Sequence, residues 1–261
     1  EDSTPETTRT LSSDYESVMR ISRNPTSPAP EVHLLSNGRY HVVISSAGGG
    51  YSRWHDLSVT RWREDATRDC WGTFIYVRDL ATGNFWSTAY QPTLRTTKGY
   101  EAIFTQSRAE FRQRHAGLEI HTEISVSPED DVELRRITLT NRTPVARVIE
   151  LTSYAEVVLA NPATDAVHPA FSNLFVQTEF VRTSSAILCT RRARTQEEKP
   201  PWLLHLMMDQ NADQGEISCE TDRSRFIGRG GSLANPAAMQ SMAPLSNTAG
   251  SVLDPIISLR R

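Results

Sequence analysis

Apolar and polar positions along this chain alternate with a period of two, and no long stretch follows a helical period. The clearest case runs from Leu118 to Ser127. Ile120, Thr122, Ile124 and Val126 share one face, while Glu119, His121, Glu123, Ser125 and Ser127 share the other. That spacing predicts a strand with one buried face and one wet face. Ser36-Asn37-Gly38-Arg39 predicts a turn leading into a strand over Tyr40-His41-Val42-Val43-Ile44. Asp79-Leu80-Ala81-Thr82-Gly83-Asn84 predicts a hairpin between a strand from Trp71 to Val77 and the return Phe85-Trp86-Ser87. Further turns at Ser127-Pro128-Glu129-Asp130-Asp131 and Asn141-Arg142-Thr143-Pro144 set off strands from Val132 to Thr140 and from Val148 to Tyr154. Strands recurring about every 10–15 residues predict an all-β sandwich or barrel.

The organisation follows from the same texture. Residues 1–30 are rich in Ser, Thr and Pro and read as a lead-in or linker, and residues 31–261 read as one β domain. Residues 191–201 predict an exposed loop, and residues 228–250, with many Gly, Ala, Ser and Pro, a long irregular segment.

Composition narrows the function classes. With 261 residues, 38% hydrophobic and 23% charged, the chain has an ordinary globular balance and buries a core without staples. A net charge of −3 and the lack of a dense basic stripe argue against a nucleic-acid partner. Cys70, Cys189 and Cys219 form no CxxC pair, and their odd number argues against a disulfide scaffold; buried free thiols are expected. The sequence has no HExxH or HxH pattern, no GxSxG elbow and no GxxxxGK[ST] loop, so neither a metal centre, a serine nucleophile nor a P-loop is expected. No apolar run approaches the ~18 residues of a membrane helix. The N-terminus lacks the pattern of a signal peptide and does not begin with Met, so the chain reads as a segment of something longer.

Candidate chemistry centres on two stretches. Ala47-Gly48-Gly49-Gly50-Tyr51-Ser52-Arg53-Trp54 holds three glycines, which allow a sharp turn or a close approach to a ligand. Tyr51, Trp54, Trp62, Trp71 and Trp86 follow closely and are interleaved with Arg53, Arg61, Arg63 and Arg68. Aromatic faces with guanidinium donors suit sugar rings, whose C–H faces stack while their hydroxyls need partners. The competing reading places these aromatics in the core. The second stretch, His168-Pro169-Ala170-Phe171-Ser172-Asn173-Leu174, reads equally as a sugar-pocket wall or a packed corner. The sugar-binding candidates are thus Tyr51, Arg53, Trp54, Arg61, Trp62, His168, Phe171, Ser172 and Asn173. Among Glu64, Asp65, Glu119, Glu123 and Asp165, spacing singles out no carboxylate pair for glycosidic cleavage.

Several of these motifs resemble a known family. Leu35-Ser36-Asn37-Gly38-Arg39-Tyr40, the glycine run through Trp54, Thr60-Arg61-Trp62-Arg63-Glu64-Asp65 and Trp71-Gly72 resemble the N-terminal β-sandwich domain of glycoside hydrolase family 94, the inverting disaccharide and oligosaccharide phosphorylases. Glu101-Ala102-Ile103-Phe104, Val126-Ser127-Pro128-Glu129-Asp130-Asp131, Thr152-Ser153-Tyr154-Ala155-Glu156 and the stretch from His168 to Glu179 are similar to the phosphorylase-like region of cyclic β-1,2-glucan synthases. The resemblance covers roughly residues 28 to 261.

It implies a supersandwich of large antiparallel sheets, like that of galactose mutarotases, carrying no catalytic residue itself. In the family an (α/α)6 barrel follows, bearing the general acid and the phosphate-binding residues. The sandwich lines the acceptor-sugar side of the cleft and supports dimerisation. Phe171, Ser172 and Asn173 correspond by position to a sugar-lining segment, and Tyr51 with the glycine loop to a site-facing region. The implied partners are a β-linked glucan or glucose oligosaccharide, the barrel and a second copy. No cofactor is implied, inorganic phosphate being held by the barrel. The implied location is cytoplasmic or membrane-associated, within a bacterial inner-membrane enzyme. The chain stops at Asp254-Pro255-Ile256-Ile257-Ser258-Leu259-Arg260-Arg261, where the family continues with a turn and strand, so a missing last strand and an open edge are expected. Two other readings stay open. One is an aldose-epimerase-like enzyme with His168 as acid and a Glu as base. The other is a structural dimerisation module.

Overall fold

The computed structural model describes residues 19–29, 31–65, 67–193, 195–210 and 216–261. In chain order the first strands are β1 (Arg20–Ser22), β2 (Val32–Ser36), β3 (Tyr40–Ser45), β4 (Gly50–Trp54), β5 (Leu57–Thr60), β6 (Phe74–Asp79) and β7 (Phe85–Ser87). Then come β8 (Lys98–Thr105), β9 (Arg108–His115), β10 (Leu118–Val126), β11 (Glu133–Asn141) and the long β12 (Ile149–Ala160). The short helices α1 (Pro162–Val167) and α2 (Pro169–Asn173) precede β13 (Val176–Val181), β14 (Ala186–Arg191), β15 (Trp202–Leu206) and β16 (Ser218–Asp222). Helices α3 (Arg223–Ile227) and α4 (Ala237–Gln240), then β17 (Gly250–Ser251) and β18 (Pro255–Arg260), complete the chain.

These strands form three sheets. The first runs β1-β8-β9-β10-β11; the second runs β16-β18-β12-β5-β4-β3-β2, with β6 joined to β12 and β7 to β6; the third runs β15-β14-β13-β17. The alternation at β10 is realised: Ile120, Thr122 and Ile124 are buried, and the residues between them are half-exposed. Their side of the sheet meets the second sheet, where Leu118 and Ile120 pack with Val77 and Trp86. In the largest core cluster Val42, Ile44 and Val59 of the second sheet meet Ala102, Phe104, Phe111 and Ile124 of the first.

Strand β12 separates two environments. Ala155 and Val157 enter that core, while Tyr154 points to the opposite face and packs with Phe74, Tyr76, Phe226, Met239 and Ile256. Helices α3 and α4 therefore cover the outer face of the second sheet over β6, β12 and β18. Period-two alternation vanishes in β12 because both of its faces are buried.

Several expectations shift. The lead-in contributes β1, which pairs with the edge of β8 through backbone bonds that side-chain pattern does not reveal. Residues 1–18 lie outside the described residues, as does Arg194 of the expected 191–201 loop. The strand expected from Trp71 starts at Phe74, because the Trp71 carbonyl accepts instead from the Gly50 N–H at 2.7 Å. The 228–250 segment contains α4, whose Met239 is a core residue. The final strand is no open edge: β18 lies between β12 and β16 and pairs with both. Cys189 and Cys219 are buried free thiols and Cys70 is half-buried. Among the described residues no helix is long and apolar enough to cross a membrane.

Candidate functional site

The site begins where β12 ends. Its pairing with β5 slips between Val157 and Ala160, and the buried Leu159 sits at φ 52°, a left-handed conformation unusual for a branched apolar residue. This bulge turns the chain off the sheet into α1. Asn161 caps that helix, its Oδ1 accepting from the Ala163 N–H at 3.0 Å, and Pro162 occupies the first helical turn. His168 closes α1 and precedes α2, and its carbonyl accepts from the Ser172 N–H at 2.8 Å.

Arg61 holds this loop to the sheet. It follows β5 directly, and its N–H donates to the Glu156 carbonyl at 3.1 Å. Its side chain is buried, 2% exposed. Nε meets Glu156 Oε2 at 3.0 Å, Nη1 meets Asp165 Oδ2 of α1 at 2.6 Å, and Nη2 donates to Asn173 Oδ1 of α2 at 2.6 Å. Asn173 Nδ2 in turn donates to Asp254 Oδ1 at 2.9 Å, and Arg223 of α3 reaches Glu156 Oε1 at 2.7 Å and Asp254 Oδ2 at 3.4 Å. The network holds two guanidiniums against three carboxylates. The surplus acid leaves Asp165 Oδ1 buried without a hydrogen-bond partner. Burial, and next the Glu156 charge, raise the Asp254 carboxyl above its usual range.

Arg61 and Asn173 therefore spend their polar atoms on one another and on buried acids. They position the loop and are not presented at its surface. Ser172 is buried too, its Oγ 3.4 Å from Arg191 Nη1. Phe171, by contrast, is 59% exposed, its ring edge against Phe175 at 5.1 Å. His168 is also exposed.

Tyr51 and Arg53 on β4, both half-buried, and Trp62, just beyond β5, form a second group of candidates. Tyr51 and Arg53 lie on the same side of β4, and the Tyr51 ring packs on Trp62 at 5.5 Å. Trp62 is 49% exposed. Being next to Arg61, it is held by the same anchor that fixes the loop bearing Phe171. Tyr51 is the register partner of Val43, and Val43 that of the exposed Leu34, so an apolar row crosses three strands.

The remaining aromatics go elsewhere. Trp54 donates its Nε1–H to Asp131 Oδ2 at 2.7 Å, and Trp71 lies under the Arg63 guanidinium. Trp86 is a core residue. The glycine run is buried and serves packing: a Cβ on Gly49 would meet Asp69 Oδ1 at 2.1 Å, and one on Gly50 the Val43 carbonyl oxygen at 1.9 Å. Its three glycines let β3, the 69–71 segment and the Ala89 loop approach closely.

Glu110, His121 and Glu123 bring ligand atoms within 4.8 Å of one another on the open face of the first sheet. Arg108 and Arg112 pair with Glu110, and Arg108 and Arg136 with Glu123. A divalent cation would have to displace these guanidiniums, so the group acts as a salt-bridge lattice. Sequence reading missed Glu156, Arg223 and Asp254 as parts of the anchor. The one available signal was a glutamate inside the otherwise apolar run Tyr154-Ala155-Glu156-Val157-Val158-Leu159, where burial requires a partner.

Large antiparallel sheets around a shared core, with an aromatic platform beside a pinned helical loop, define an all-β supersandwich. The chain belongs to the family described as "Glycosyl hydrolase 94, supersandwich domain", which it matches over residues 15–261. It is 41% identical over 245 residues to cyclic beta-(1,2)-glucan synthase NdvB of Rhizobium meliloti (strain 1021), covering 93% of this chain and 9% of that protein. It is 30% identical over 161 residues to N,N'-diacetylchitobiose phosphorylase of Vibrio furnissii, covering 60% of this chain and 20% of that protein. Solabiose phosphorylase of Paenibacillus borealis is 24% identical over 218 residues, covering 81% of this chain and 27% of that protein. The chain thus spans between 9% and 27% of the length of these relatives.

Proposed function

We propose that this chain is the non-catalytic, carbohydrate-facing domain of a β-1,2-glucan-processing enzyme. It lines the acceptor-sugar side of a cleft that a barrel domain of the parent completes. The observation that carries this reading is the half-buried Tyr51 packed on the exposed Trp62 beside Arg53, tied through Arg61 to the loop that presents Phe171. The aromatic faces stack on pyranose C–H faces, and the Arg53 guanidinium donates to ring hydroxyls. The similarity to a cyclic beta-(1,2)-glucan synthase supports the β-1,2 linkage as the first choice of ligand. Exposed Leu34, in line with Val43 and Tyr51, supplies apolar surface on the side where the barrel docks. Bond cleavage belongs to the barrel, where a carboxylic acid protonates the glycosidic oxygen while phosphate attacks the anomeric carbon from the opposite face. The epimerase-like alternative finds less support. Asp165, the acid nearest His168 in sequence, is engaged by Arg61.

Calorimetric titration of the chain with β-1,2-linked and β-1,4-linked glucose oligosaccharides tests the proposal. Saturable binding of the β-1,2 series is expected, weakened about fivefold or more by Trp62→Ala and by Phe171→Ala. No heat with either series from folded protein would overturn it.

A further inference from the structure

A cleft that shares no lining residue with the Tyr51–Trp62 platform lies between the residues that follow β1 and the loop that leads into β8. Its volume is about 310 Å³, and its walls include Arg23 on one side and Tyr90, Arg95, Thr96 and Tyr100 on the other. That volume sits at the lower end for small-molecule sites and suits a ligand of monosaccharide size.

The walls are held firmly. The Tyr100 hydroxyl donates to the Ser46 carbonyl at 2.7 Å, and Thr97 Oγ1 donates to Gln113 Oε1 at 2.8 Å. The N–H of Gln91 donates to the Ala47 carbonyl at 2.8 Å, and that of Leu94 to the Tyr90 carbonyl at 2.9 Å.

The charges in this cleft are unbalanced. On the neighbouring sheet Arg108, Arg112, Arg114, Arg136 and Arg142 each pair with a glutamate. Arg95 instead lies over the Phe85 ring at 5.2 Å and pairs with no carboxylate among the described residues. Arg23 commits its Nε to Glu101 at 2.9 Å, which leaves one acid paired against two guanidiniums. The field of Arg95 extends to His115, whose pKa is held below its ordinary value by burial first and by Arg95 next. A guanidinium with no carboxylate partner keeps its planar fork of donors available, a geometry that matches an oxyanion.

We propose that this cleft binds an anionic sugar, a pyranose bearing a phosphate or carboxylate group. Arg95 and Arg23 hold the anion, Tyr90 offers a ring face to the sugar, and the Thr96 hydroxyl is available to its hydroxyls.

The test titrates the full chain with glucose 6-phosphate and with glucuronate, using glucose as the neutral control and inorganic phosphate as the bare anion. The two anionic arms separate phosphate from carboxylate. At least one of them should bind about tenfold or more tightly than either control, with that gain lost in Arg95→Gln. Trp62→Ala should leave this binding unchanged, so its outcome is independent of the glucan platform. Arg23 is exposed, and Arg23→Gln reads the same weakening should Arg95→Gln fail to fold. Equal affinity for inorganic phosphate would overturn the sugar assignment. Equal affinity for glucose, or wild-type binding by folded Arg95→Gln, would overturn the site.

Discussion

Two buried ion networks sit at opposite ends of β12, on the same outer face of the same sheet, and they are balanced in opposite ways. At the Glu156 end, Arg61 and Arg223 face three carboxylates, with Asp165 and Asp254 completing the set. At the Glu150 end, Arg78 and Arg260 share one carboxylate, at 2.6 and 3.2 Å. The surplus positive charge there is met by backbone dipoles of the α4 segment. Arg78 donates to the Ser241 carbonyl, and Arg260 to those of Ala243 at 2.8 Å and Ala238 at 2.5 Å. Burial lowers the Arg260 pKa to about 10. One network therefore uses charge to pin a loop to strands, and the other uses carbonyls to pin an irregular segment to strands. The difference teaches that a buried ion can be met either by opposite charges or by backbone dipoles, even where single atoms such as Asp165 Oδ1 and Arg78 Nε are left without a hydrogen-bond partner.

Removing the hub should break the comparison most strongly. Arg61→Met leaves Glu156 and Asp165 buried with no guanidinium between them, and about 3–5 kcal/mol of unfolding free energy should be lost in urea denaturation. Loop presentation by α1 and α2 should fail with it, abolishing any glucan binding that Phe171 supports.

The same chemical change on the same strand should then give unequal results. Glu150→Gln leaves two buried arginines without an acid and should cost about 3 kcal/mol. Glu156→Gln leaves two arginines facing two acids and keeps an acceptor for the Tyr154 hydroxyl, so about 1 kcal/mol is expected. Equal losses in the two variants would show that charge balance is not what distinguishes the networks.

The smallest effect is a pH dependence. Asp254 has a raised pKa in the fold, so the folded state holds this proton more tightly than the unfolded chain. Its contribution is fully present below the ordinary carboxylate value of 3.8 and is lost as pH rises through the raised value. Asp254→Asn keeps an oxygen for Asn173 and removes that loss. Its melting temperature relative to wild type should therefore climb above pH 4 and finish level or about 1 °C higher at pH 7, a small gain because Asp254 is partly screened by solvent. Arg260, its pKa lowered by burial to about 10, stays charged over the same range.

Legibility in the sequence varied with how local the cause was. Strand β10 was readable because one face is wet and alternation records that directly. Strand β12 was readable only to Tyr154, since a strand buried on both faces has no alternation and the bulge at Leu159 leaves no compositional mark. Helices α1 and α2 are too short for a helical period to show, and a proline opens each. Among the aromatic candidates, Tyr51 and Trp62 meet at the surface while Trp54 and Trp86 do not, a division set by strand register and not by spacing along the chain. Arg61 lies in the buried anchor beside α1 and α2, where its guanidinium positions that loop.

What the sequence by itself determined is the strand and turn grammar. A pleated backbone exposes alternate residues, and Asn-Gly or Pro-Glu-Asp runs bend it wherever they occur. The kinship with family 94 was also written in ordered motifs. Only the tertiary structure decided which charges compensate one another, because Arg61 meets Asp165 and Asn173 across 104 and 112 residues of chain. Electrostatic pairing depends on distance in space and on exclusion of water, and neither is defined until the sheets have packed.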